Sequence, residues 1–121
     1  MSAKDLVVAF LTTLEQRDLV KAATYLAPGM VMTFPGNMKF HSLDELVAWS
    51  KGRYKAVRKT FQRFDEHTSN GITVIYCGGM LNGEGLDGKP IANVRFLDRF
   101  EIKDGKIVDQ QVWNDLAEFK T

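Results

Sequence analysis

The chain has 121 residues, 45% of them hydrophobic and 26% charged, with a formal net charge of +1. That length supplies one domain, spanning residues 1–121, with a core of its own. The composition is that of a soluble globular protein, and the near-zero charge excludes a global field that would gather nucleic acid or a membrane surface.

The single cysteine, Cys77, excludes an internal disulfide and fits a reducing compartment. No apolar run approaches the roughly 20 residues of a membrane span. Lys4 and Asp5 stand beside a short apolar run at the N-terminus, which reads as an amphipathic helix rather than a signal peptide. A cytoplasmic location is the expectation.

Residues 3–16 show helical spacing, with Leu6, Val7, Phe10, Leu11 and Leu14 on one face. Asp18 can cap a second short helix carrying Leu19, Ala22, Ala23 and Leu26, which Pro28-Gly29 would end. A short strand from Met30 to Phe34 is closed by Pro35-Gly36. Ser42 and Glu45 have capping-box spacing and open a third helix, with Leu43, Leu46, Val47, Tyr54 and Val57 as core contacts.

From about Arg58 the pattern becomes a strand reaching His67, and Asn70-Gly71 signals a hairpin. The next strand runs from Ile72 to Leu81, with a bulge or bend expected at Gly78-Gly79. A loop from Gly83 to Pro90 leads to a strand over Val94–Ile102, and Asp104-Gly105 turns the chain into a last strand, Ile107–Asp115. Helices segregated from an antiparallel four-strand meander indicate an α+β fold.

The Val94–Ile102 strand holds the most informative residue. Its even positions are Val94, Phe96, Asp98, Phe100 and Ile102, so a carboxylate points to the apolar side between two phenylalanines. A carboxylate there must be paired, protonated or facing a cavity. The Asp104-Gly105 turn admits two registers. A two-residue turn pairs Ile102 with Ile107. A three-residue loop pairs Asp98 with Gln110, Phe96 with Val112, Phe100 with Val108 and Val94 with Asn114, with Arg99 against Asp109 and Arg95 against Trp113 on the other face.

The second register is preferred for those cross-strand pairs. It gives an apolar wall with Asp98, Gln110 and Asn114 as polar inserts, the pattern of a small-molecule pocket. The opposite face carries Leu97, Ile107 and Trp113 among charges, which indicates a dimer surface.

The remaining chemistry-bearing residues read as structural. His41 and His67 are far apart and lack ligand spacing, so no metal site is expected. Cys77, mid-strand, reads as a buried, inert thiol. Gly83-Glu84-Gly85 and Asp87-Gly88-Lys89 lack the strand-to-helix context of a phosphate loop. Lys51, Arg53, Lys55, Arg58 and Lys59 read as a solvated basic run at the end of the third helix.

The element order, Pro35-Gly36, the Asp98-Arg99-Phe100 strand and Asp104-Gly105-Lys106-Ile107-Val108 together resemble the nuclear transport factor 2-like superfamily. Within it, the chain is similar to SnoaL-like and ketosteroid-isomerase-like proteins. The resemblance implies a cone-shaped, curved antiparallel sheet wrapped around three helices of the N-terminal half, a cystatin-like α+β barrel. It also implies an apolar pocket and a homodimer through the outer sheet face. Members include isomerases, epoxide hydrolases, dehydratases, polyketide cyclases and binding proteins, so the fold does not fix the activity.

In the ketosteroid isomerases a protonated aspartate on the penultimate strand donates to the substrate oxyanion, and Asp98 falls at that position. Phe10 stands at the matching tyrosine position on the first helix. Phe34 stands where the general-base aspartate precedes a proline. The epoxide-hydrolase aspartate on the last strand falls near Val112, and the Ile72 strand offers neither Arg nor Asp.

The expectation is therefore a protein that binds an apolar small molecule, with no cofactor and no metal. If it is an enzyme, it is a cofactor-independent isomerase, dehydratase or cyclase acting on an apolar carbonyl compound. Asp98 would be the catalytic acid, base or oxyanion donor. Phe10, Phe34, Tyr54, Phe96, Phe100, Gln110, Val112 and Asn114 would contact the substrate. The alternative is a non-catalytic ligand-binding or dimerisation module of the same fold. No nucleic-acid or membrane partner is expected.

Overall fold

The computed structural model describes residues 1–120, the side chain of Lys120 excepted. Helix α1, Ala3–Glu15, begins where the Ser2 hydroxyl accepts from the Asp5 amide at 3.1 Å. It buries Leu6, Val7, Phe10 and Leu11. Helix α2, Leu19–Ala23, is capped by Asp18, and helix α3, Leu43–Ser50, by Ser42. The Ser42 hydroxyl accepts from the Glu45 amide, which is the N-cap half of the capping box, and it donates to the Glu45 carboxylate.

The strands are β1 Leu26–Phe34, β2 Met38–Phe40, β3 Ala56–Ser69, β4 Ile72–Glu84, β5 Pro90–Lys103 and β6 Lys106–Asn114, followed by a 3₁₀ helix at Leu116–Lys120. They form one curved, unclosed sheet in the order β2-β1-β6-β5-β4-β3. Two expectations change. Leu26 belongs to β1 rather than to α2, because it pairs with Ile107, and Pro28-Gly29 is a bulge within that strand, with Gly29 at φ +77°. The β1–β6 pairing is parallel, so the sheet is mixed rather than antiparallel and does not close into a barrel.

Asn70-Gly71 and Asp104-Gly105 both take positive φ, as two-residue I′ hairpin turns require. The second turn sets Ile102 opposite Ile107, and a bulge then pairs Glu101 with Asp109. Beyond it Phe100 opposes Gln110, Asp98 opposes Val112 and Phe96 opposes Asn114. The expected register is thus wrong by two residues, which preserves which residues share a face. Arg99 meets Gln111 and Leu97 meets Trp113, while Arg95 ion-pairs with Asp115. The bulge also turns Ile107 inward, so it is fully buried and leaves the expected outer surface.

The curvature has a local cause in β4. A Cβ on Gly79 would lie 1.9 Å from the Thr60 carbonyl oxygen, and one on Gly83 would lie 2.0 Å from that of Ala56. Only glycine lets the β3 backbone fold this closely over β4. A bulge between Phe61 and Arg63 sits opposite Gly78-Gly79, where the sequence predicts a bend. The helices fill the concave side, with Phe10 of α1 edge-on to Phe100 of β5 at 6.2 Å.

Candidate functional site

The concave face of the sheet holds one buried ion pair. Asp98 on β5 is 0% exposed, and its Oδ2 accepts from Lys59 Nζ at 2.7 Å; the Lys59 side chain is 14% exposed. Lys59 lies on β3, in the inward-facing series Val57, Lys59, Phe61. Reading it as part of a solvated run at the end of α3 is therefore incorrect. The helix stops at Ser50 and the strand period already governs at Val57. That alternation was the available signal. The inward fold of β3 at Gly79 brings Lys59 toward Asp98, and its ammonium also lies 5.0 Å from the Phe96 ring centroid. Its backbone amide donates to Glu15 Oε1 at 2.6 Å, which ties the strand to the end of α1.

Burial raises the Asp98 carboxyl above the ordinary carboxylate range, and the Lys59 ammonium opposes that rise. For Lys59, desolvation is the largest single influence and pulls downward, but the opposing influences, led by the charge and hydrogen bond of Asp98, leave its pKa raised. The pair is a buried ion pair in which Lys59 donates and Asp98 accepts. Cys77, opposite Asp98 on β4, is fully buried, and burial pushes its thiol up to about 12. Its burial is as expected.

A cavity of about 80 Å³ adjoins the pair, between the sheet, the end of α1, and α3 with the loop that follows it. Of the expected contact residues, Phe34, Tyr54, Phe96, Gln110, Val112 and Asn114 line it. Phe10 and Phe100 do not: they pack against each other beneath it, as core. Asp98 also lies behind the lining, and Lys59 stands between it and the cavity. Glu15, Arg17, Trp49 and Arg53 are on the lining as well, and sequence reasoning assigned them no such role.

The polar atoms of the wall are unequally satisfied. Asn114 Oδ1 accepts from the Leu116 amide at 3.0 Å, and the Ser50 hydroxyl donates to Val47 O. Gln110 is 1% exposed, and neither its Nε2 nor its Oε1 has a partner among the described residues; the same is true of Asp98 Oδ1. No group of three or more His, Cys, Asp or Glu that could hold a metal occurs among the described residues. No described helix is long and apolar enough to cross a membrane.

The SnoaL-like domain family matches residues 7–110, most of the chain and nearly all of the sheet. The chain belongs to the SnoaL-like family. No curated protein matches it in sequence. Solved structures similar to this SnoaL-like chain include an NTF2-like protein of unknown function from Burkholderia pseudomallei, at 20% identity and a TM-score of 0.75, covering 96% of this chain and 92% of that one. TerC, crystallised with polyporic acid, has 16% identity and a TM-score of 0.76 over 96% of this chain and 93% of its own. IdmH of Streptomyces antibioticus, a candidate polyketide cyclase, has 16% identity and a TM-score of 0.71 over the full length of both. At these identities the likeness speaks for the fold.

Proposed function

We propose that this SnoaL-like protein binds a compact carbonyl compound in the cavity and acts on it without a cofactor, by isomerisation, dehydration or cyclisation. The buried Lys59–Asp98 pair, with Lys59 on the cavity wall and Asp98 behind it, carries this reading. The pair divides the work expected of Asp98 alone. Lys59 faces the ligand, and its ammonium would stabilise negative charge developing on a carbonyl oxygen. Asp98 holds that ammonium in place and charged, so that Lys59 can hydrogen-bond to the oxyanion and give it a proton. Relatives of the same fold that are named as cyclases, such as IdmH, lend support at the level of reaction class.

A second reading has its own observation. Phe34 lines the cavity where the resembling isomerases place a base, and Phe10 is core, which favours a non-catalytic binding module. Turnover of a panel of small enones and hydroxyketones decides between them. Catalysis predicts that Lys59→Met lowers kcat by about 10²–10³-fold, as loss of an oxyanion donor does. Asp98→Asn should lower it less and move the pH profile. Turnover that survives both variants refutes the assignment, and ligand binding with no turnover favours the module.

The outer face of the sheet supports a homodimer. Leu97 is 39% and Trp113 49% exposed, and they are cross-strand neighbours beside the exposed Tyr76. Such a patch fits the apolar centre of a symmetric interface.

A further inference from the structure

Gln110 points to the kind of molecule the cavity takes, an inference that rests on the ligand-binding reading above. A buried amide normally satisfies both its donor and its acceptor. Gln110 satisfies neither among the described residues, although it lies on a packed strand opposite Phe100 and lines the cavity. Of the nearby polar groups, Asn114 holds the Leu116 amide, Ser50 holds Val47 O and Lys59 holds Asp98 Oδ2, while Asp98 Oδ1, diagonal to Gln110 on the same face, is unpartnered as well. An amide in that state is a recognition edge with one donor and one acceptor side by side.

We infer that the ligand is an α-hydroxycarbonyl compound, held edge to edge by the Gln110 amide. Its carbonyl oxygen accepts from Gln110 Nε2, and its hydroxyl donates to Gln110 Oε1. The two ligand groups sit on adjacent carbons, a spacing the amide edge spans in the way it spans the paired donor and acceptor of adenine. Lys59, on the same lining, supplies a second donor to the carbonyl oxygen. Size limits the class further. An apolar cavity of ~150 Å³ accepts benzene, and this one measures about 80 Å³. The part of the ligand inside the cavity is therefore short-chained or a small ring.

The test is binding, independent of turnover. Acetoin, 2-butanone and 2-butanol are titrated into the wild type and into Gln110→Met, with binding followed in both by NMR shifts of the backbone amides of the cavity lining, and in the wild type by the Gln110 side-chain amide signals as well. Acetoin carries both groups, and each control carries one. Acetoin should bind the wild type at least about tenfold more tightly than either control, because a site built around paired polar groups rejects an analogue lacking one. Gln110→Met should abolish that preference. Equal binding of all three overturns the inference, as does a preference that survives in Gln110→Met. So does a Gln110 amide whose signals show it bonded to Asp98 in the free protein and unmoved by acetoin. Acetoin bound but never turned over would sink the catalytic reading and leave this one standing.

Discussion

Lys59→Met is the most informative perturbation of this protein. It keeps the length and apolar stem of the side chain and removes the only hydrogen-bond partner, among the described residues, of a carboxylate that is 0% exposed. Asp98 then has two options. It can remain ionised and unpaired, which for a broken buried pair costs about 3–5 kcal/mol. It can instead take a proton. From the ordinary value of 3.8 for this carboxyl to pH 7, at about 1.4 kcal/mol per pH unit, that costs about 4 kcal/mol. The two routes agree, so Lys59→Met should lose about 4 kcal/mol at neutral pH.

The protonation route fixes the pH dependence. Asp98 has a folded-state pKa above its unfolded one, so between the two values the folded state binds more protons. Stability from this group therefore increases as pH falls toward 3.8, the reverse of an ordinary salt-bridged carboxylate. Without Lys59 the folded value moves higher and the window widens. The deficit of Lys59→Met should shrink by about 1.4 kcal/mol for each pH unit lowered from 7. Urea unfolding of wild type and variant at pH 7, 6 and 5 measures this. The double variant Lys59→Met with Asp98→Leu should recover most of the loss, since well-packed apolar pairs replace buried ion pairs at little cost. A loss below about 1 kcal/mol, the range of an exposed pair, or one independent of pH, would refute the reasoning.

Gly79→Ala should destabilise by about 3 kcal/mol, the upper end for overpacking, because its Cβ meets the Thr60 backbone and not a movable side chain. An unchanged denaturation midpoint would mean that β3 does not fold over β4 as described. Trp113→Glu places a charge at the centre of the outer patch; light scattering should show a dimer for the wild type and a monomer for this variant. A monomeric wild type would remove the homodimer proposal.

The sequence by itself determined what depends on neighbours along the chain. Ser42 and Glu45 announce the start of α3, and Asn70-Gly71 and Asp104-Gly105 announce their turns, because capping and positive φ are local demands. The alternation Phe96, Asp98, Phe100 placed the carboxylate on the buried face, because side-chain direction in a strand has period two. Tertiary structure decided the partners. The Asp104-Gly105 turn allows two registers, and the bulge that turns Ile107 inward depends on packing under the sheet. The parallel union of β1 with β6 joins segments some eighty residues apart, as Leu26 with Ile107 shows. Lys59 reaches Asp98 across 39 positions only because Gly79 lets β3 close over β4. The alternation Val57, Lys59, Phe61 marks the inward direction of the lysine but not its partner. Its charge became a buried one when the sheet curved, and no spacing along the chain encodes curvature.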